Sequence, residues 1–208
     1  RLGESTVVIV GCGGLGTTAA SALARMGVGH LVLVDPDTVA VHNLSRQQLF
    51  SPADVHKRKV VVAREQLLRL NPRLRVTAKA VEATTASLAN CPRADVVLDC
   101  TDRLASRRVI DAFCSQQGVD WIHGAAIQDK GTLCVFSPRR NPSLRFDAVY
   151  GGAHRDVLCA DCGVLATTTA TVGALQAHLA LQLLIGKPVP TGLFRFRLDD
   201  FVLEHVKL

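Results

Sequence analysis

Four kinds of residue in this sequence could do chemistry, and their spacing says which. Gly11, Gly13 and Gly16 stand in a G-x-G-x-x-G arrangement, with Gly14 between them. That spacing provides one glycine for a tight turn, one for close approach of backbone to a phosphate and one for packing a helix on a strand. Phosphate would rest on the free N–H groups and positive dipole end of a helix opening near Gly14 to Leu15. Asp35 follows about 20 residues later, where an acid can bind ribose hydroxyls. Asp102 ends the run ADVVLDCTD. It is a candidate metal ligand, or alternatively the N-cap of the helix that follows. Lys57, Arg58 and Lys59 oppose the dipole of the helix they open, so by themselves they fit a solvated surface run as well as a phosphate contact. Cys159 stands four residues before Gly163, and a thiol near the N-terminus of a helix has its pKa lowered.

These residues need a scaffold, and the hydrophobic pattern supplies one. Strands are expected over Val7 to Val10, His30 to Val34, Leu74 to Ala80, Asp95 to Asp99, Trp121 to Ala126 and Gly131 to Phe136. Two short strands, Gly192 to Leu198 and Val202 to Leu208, close the chain. Helices are expected from Leu15, from Pro52 to Asp54 through Leu70 with room for a break, over Ala83 to Asn90, over Leu104 to Gln117, and from Gly163 or Val164 to Leu184. Asp37 to Phe50 has no sustained period and reads as a loop with a short helical turn carrying Asn43, Arg46 and Gln47. Ser137 to Asp161 reads as a long loop, of the kind usually tied to function. The fold class is α/β: a Rossmann-like, mostly parallel sheet with helices on both faces and a short antiparallel C-terminal extension. In such a sheet, ligands bind outside the carboxyl ends of the strands, so Asp102 would face the same crevice as the glycine turn.

Length and composition bound the rest. The 208 residues suffice for one α/β domain spanning residues 1–208 and are too few for two. With 48% hydrophobic and 20% charged residues and no apolar run near the roughly 20 residues of a membrane span, no membrane partner is expected. No signal-peptide layout precedes the first strand. Seven cysteines in strand-like and helix-like runs, Cys100, Cys114 and Cys134 among them, fit a reducing cytoplasm. The excess of 24 basic over 18 acidic side chains favours anionic partners. The basic residues are scattered and not interleaved with aromatics, so a small anionic molecule is expected and no nucleic acid.

Taken together, GCGGLG, VDPDTV, NLSRQ, Lys59, LDCTD, the GAAI at Gly124 to Ile127 and CADCGV closely resemble the HesA/MoeB/ThiF family, prokaryotic relatives of ubiquitin-activating enzymes. The resemblance implies ATP-dependent adenylylation of the C-terminal glycine of a ubiquitin-like sulfur carrier ending in Gly-Gly, with release of pyrophosphate, in a homodimer. It also implies roles: Gly11, Gly13, Gly14 and Gly16 around the phosphates, Asp35 on the ribose, Asn43, Arg46, Gln47 and Lys59 on the nucleotide, Asp102 on Mg²⁺, and Cys159 as a cysteine that some relatives use after adenylation. An ionised carboxylate needs no general base; the barrier lies in bringing an anion to a polyanion and stabilising the leaving pyrophosphate, which cations do.

The sequence departs from the family pattern at three places. Arg103 stands where relatives usually have Asn. Ser143 and Phe146 stand where the first C-x-x-C pair of a structural zinc should fall, and Cys159 with Cys162 supplies only two of four ligands, so no structural zinc is expected. With five residues before Thr6, the extension that sends an arginine into a partner subunit's site is also not expected. Two other readings stand beside adenylylation. A nicotinamide-dependent oxidoreductase would use the same glycine turn and Asp35, and a scaffold could hold a ubiquitin-like partner without activating it.

Overall fold

In the computed structural model, which describes residues 2–151 and 163–208, the strands Thr6–Val10 (β1) and His30–Val34 (β2) are buried along their whole lengths. Strands of β-branched and leucine residues with no polar face belong inside a sheet covered on both sides. They lie within a sheet ordered β3-β2-β1-β4-β5-β6-β7-β8. The others are Arg75–Lys79 (β3), Val96–Asp99 (β4), Asp120–Ile127 (β5), Lys130–Phe136 (β6), Gly192–Arg197 (β7) and Val202–Val206 (β8). From β3 to β5 the pairing is parallel, and from β5 to β8 it is antiparallel. The strand order reverses between β1 and β4, which opens a crevice at their carboxyl ends.

Six helices are described: Gly14–Arg25 (α1), Lys59–Leu70 (α2), Thr85–Ala89 (α3), Leu104–Gln117 (α4), Phe146–Tyr150 (α5) and Ala166–Leu184 (α6). α1, α2 and α6 bury Leu23, Leu67 and Val172 against Val7, Ile9 and Leu98 on one face. α3, α4 and α5 bury Leu88, Ile110 and Phe146 with Val8, Val97 and Trp121 on the other. The sheet is thus mostly parallel, covered on both faces and extended by antiparallel strands, as the sequence indicated.

At one segment the break that the sequence allowed is present, and at a second the structure departs from expectation. Pro52–Asp54 is a separate 3₁₀ turn, closed by the Asp54 carboxylate accepting from the Ser51 N–H and hydroxyl at 2.9 and 2.6 Å. His56 then takes a positive φ of 73°, so the α-helix begins only at Lys59. Within the expected long loop, Phe146–Tyr150 is helical. Five residues are too short to show a period; tertiary contacts fix them instead. Phe146 is buried beside Trp121, and Arg145 and Arg108 pair with Asp111 and Asp147 at 2.9 and 3.0 Å across α4 and α5.

Candidate active site

The glycine turn is a cradle whose parts have different jobs. Gly11 has a φ of +96°, and a Cβ there would lie 2.6 Å from the carbonyl oxygen of Cys100. A Cβ on Gly16 would lie 1.9 Å from the oxygen of Gly11, and one on Gly14 would meet Thr169 of α6 at 2.8 Å. These three glycines serve turn and packing. Gly13 is different: a Cβ there would meet only Gln47 Nε2, at 3.9 Å. The described residues leave that space open at the N-terminus of α1, a position suited to an anion.

Around this turn lies a cleft of about 610 Å³ that Asp35, Asp37, Asn43, Arg46, Gln47, Lys59 and Asp102 help to line. The Asp35 carboxylate accepts from the N–H groups of Cys12 at 2.6 Å and Asp37 at 2.8 Å, which ties β2 to the glycine turn. Burial pushes its pKa up, against the opposing pull of Lys59 and the two N–H donors. Asn43 is buried and accepts from the N–H of Ala40 at 3.1 Å, which shapes its loop. Gln47 is buried too, and its Oε1 has no partner among the described residues. The Gln47 amide borders the open space at Gly13 through its Nε2, and the orphaned oxygen on the same side chain calls for a polar partner. Arg46 lines the cleft while donating to the carbonyl of His42 at 3.0 Å.

Lys59 is not part of a solvated run. Its side chain is 8% exposed and its Nζ lies 2.8 Å from Asp37, whereas that of Lys57 is 57% exposed and pairs with Asp54 outside the cleft. Asp102 is exposed on the turn after β4 and lines the cleft. It is not the N-cap of α4; Arg103 holds that position, without a side-chain cap bond. An exposed carboxylate at the mouth of a cleft, with no partner among the described residues, suits a hard cation that keeps several waters. Cys159 and Cys162 lie outside the described residues.

On the far side of the strand reversal, Arg107, Lys130, Thr132 and Tyr150 line the same cleft. Beneath them lies the fully buried Asp99, whose Oδ2 is 2.6 Å from His123 Nδ1. Burial alone would raise the pKa of Asp99, but the hydrogen bond from His123, the charge of Arg107 and the Thr101 hydroxyl hold it below the usual carboxylate range. His123 is pushed down by burial. Gln176 of α6 locks this region, donating to the carbonyls of Asp99 and Ile122 at 2.7 and 3.1 Å. A Cβ on Gly124 would come within 2.5 Å of it. Sequence reasoning missed Arg107, Asp99, His123 and Tyr150. A histidine inside an otherwise apolar strand was the one available signal, and its acidic partner is 24 residues away. The thiols of Cys12 and Cys100, beside the turn, are pushed far up by burial and are inert.

A glycine cradle at a helix N-terminus, an acid on the second strand and cations beside it define a nucleotide-binding α/β domain of the doubly wound type. Comparison with known proteins narrows the class. The model of the ThiF family matches residues 1–207, and the chain belongs to that family. It is 38% identical over 196 residues to the sulfur carrier protein ThiS adenylyltransferase of Escherichia coli, covering 94% of this chain and 78% of that protein. It is 40% identical over 194 residues to the molybdopterin-synthase adenylyltransferase of the same organism, covering 92% and 77%. The chain is accordingly an enzyme of adenylyltransferase type. A crystal structure of E. coli MccB with ATP has the same fold, with a TM-score of 0.85 at 23% identity; the match covers 99% of this chain and 64% of that one.

Proposed function

We propose that this protein uses ATP to adenylylate the C-terminal glycine carboxylate of a ubiquitin-like sulfur carrier ending in Gly-Gly, releasing pyrophosphate. The observation that carries the reading is one cleft holding the open cradle at Gly13, the cations Arg46 and Lys59, and the carboxylate of Asp102. Gly13 and Gly14 receive phosphate on the N–H groups at the start of α1, Gly11 and Gly16 keep the turn tight, and Asp35 holds the ribose. Arg46 and Lys59 draw charge from the leaving pyrophosphate, while Asn43 and Gln47 line the phosphate path. Asp102 would hold Mg²⁺, which when bound neutralises charge developing on the phosphates. Nicotinamide chemistry has no use for Arg46, Lys59 and Asp102 together, and a scaffold without activity would not need the phosphate-binding residues.

The names of the two relatives suggest ThiS and the small subunit of molybdopterin synthase as carriers to try. The same reading takes residues 1–208 as one adenylyltransferase domain acting as a homodimer. Free thiols at Cys12, Cys91, Cys100, Cys114 and Cys134 favour a cytoplasmic setting. The test is ATP–pyrophosphate exchange with each carrier and with the same carrier lacking its last glycine. Exchange that requires the intact Gly-Gly end supports the proposal. Binding of NAD in preference to ATP with Mg²⁺ would overturn it.

A further inference from the structure

The half of the cleft beyond the strand reversal has a cation of its own. Arg107 projects from the first turns of α4 with its side chain 15% exposed. One terminal nitrogen donates to the carbonyl of Thr101 at 2.9 Å. Its Nε lies 3.9 Å from Asp99 Oδ2 and has no hydrogen-bond partner among the described residues. Asp99, in turn, is fully committed: Oδ1 accepts from the N–H and hydroxyl of Thr101 at 3.0 and 2.7 Å, and Oδ2 from His123 Nδ1 at 2.6 Å. The His123 ring is fixed edge-on against Phe146 and Tyr150, with centroids 5.5 and 5.1 Å away.

A carboxylate wholly removed from water persists only where hydrogen bonds and opposite charge compensate it. With His123 kept neutral by burial, the compensating charge is that of Arg107. The buried pair therefore holds the guanidinium from below through the side that carries the buried Nε, and the terminal N–H groups not used on Thr101 are the donors left to the cleft that Arg107 lines.

Position tells what they face. In displacement at phosphorus, the attacking and leaving oxygens lie roughly in line. Arg46 and Lys59, on segments following β2, serve the leaving pyrophosphate. The attacking carboxylate must arrive from the other side, where Arg107, Thr132 and Tyr150 stand. We propose that Arg107 contacts the acceptor's terminal carboxylate, and that Asp99 and His123 are positioning residues for it. The inference rests on the adenylylation reading above. A planar guanidinium matches a carboxylate in two-pronged fashion, which a lysine cannot do.

The test compares Arg107→Gln, Arg107→Lys, His123→Ala and His123→Asn in ATP–pyrophosphate exchange with ThiS and the molybdopterin synthase small subunit, alongside calorimetric binding of ATP. Arg107→Gln should raise the carrier KM at least about tenfold, as expected for a lost charged hydrogen bond, while ATP affinity stays within about twofold. Arg107→Lys should recover part of the loss. His123→Ala should raise the carrier KM several-fold, and His123→Asn, which keeps a donor for Asp99, should reverse most of that. An unchanged carrier KM in Arg107→Gln overturns the inference, as does a parallel loss of ATP affinity, which would place Arg107 on the nucleotide. A wild-type protein that binds ATP but shows no exchange with either carrier overturns the proposed reaction and this inference with it. Exchange in the wild type with unaltered variants overturns this inference alone.

Discussion

Replacing Lys59 and Lys57 by alanine separates a phosphate contact from generic surface charge, because the two lysines are two residues apart in one run and differ in surroundings. A charge-assisted hydrogen bond contributes about 2 kcal/mol net, or roughly a 30-fold change in affinity. Lys59 starts from an ion pair with Asp37 at 2.8 Å, so binding exchanges one partner for another. Asp37 is 57% exposed, however, and water takes over its solvation readily. The exchange therefore gives back only part of the gain, leaving a loss for Lys59→Ala of about 1 to 2 kcal/mol, or roughly 5- to 30-fold in ATP affinity. Lys57 lies outside the cleft, itself 57% exposed and paired with the buried Asp54, so its charged end stays in water. Such a pair is worth at most about 1 kcal/mol to stability and nothing to binding, so ATP affinity should change less than about twofold. Calorimetric titration with ATP and Mg²⁺ measures both. Equal effects of the two substitutions, or a loss under about threefold for Lys59→Ala, would refute the assignment.

Asp102→Ala should nearly abolish carrier-dependent exchange with the fold intact by circular dichroism; retention of more than about a tenth of the activity, a barrier change under about 1.4 kcal/mol, rules out a metal-binding role. Gly13→Ala should fold with an unchanged Tm and lose ATP affinity, since its Cβ fills only the phosphate space. Gly16→Ala, with its Cβ 1.9 Å from the Gly11 oxygen, should lose about 2 to 4 kcal/mol of stability, lowering Tm by roughly 4 to 16 °C; the reverse pattern in calorimetric melts would contradict the division of labour in the turn. His123 binds protons less readily folded than unfolded. Its contribution to stability is therefore full above the unfolded pKa of about 6.5 and declines as pH falls below it. Denaturant melts should show less loss of stability between pH 7.5 and 5.5 in His123→Asn than in the wild type, and parallel curves would disprove the buried neutral histidine. Cys159→Ala should leave pyrophosphate exchange near wild type and abolish any covalent capture or sulfur transfer of the carrier; a variant completing that second step at full rate makes Cys159 structural.

By itself the sequence determined what depends on neighbours along the chain. The runs at Val7 to Val10 and His30 to Val34 are apolar without a polar face, and such strands have no stable home except inside a covered parallel sheet. The glycine spacing and Asp35 followed from the same local logic, since a turn, a helix start and a strand end lie within about 30 residues of each other. Tertiary structure decided whatever depends on contacts across elements. Lys59 and Lys57 are indistinguishable by residue type and local pattern, a family resemblance alone singling out Lys59, and only the fold buries one against Asp37 and leaves the other in water. Phe146–Tyr150 has too few residues to nucleate a helix on its own, and its helicity comes from Trp121 and the ion pairs to α4. Asp99 and His123 come within 2.6 Å only because β4 and β5 pair in a register that sets one beside the other. No local pattern encodes that register; it is fixed by which faces the two strands must bury, and it sets the buried pair within 3.9 Å of Arg107 on α4.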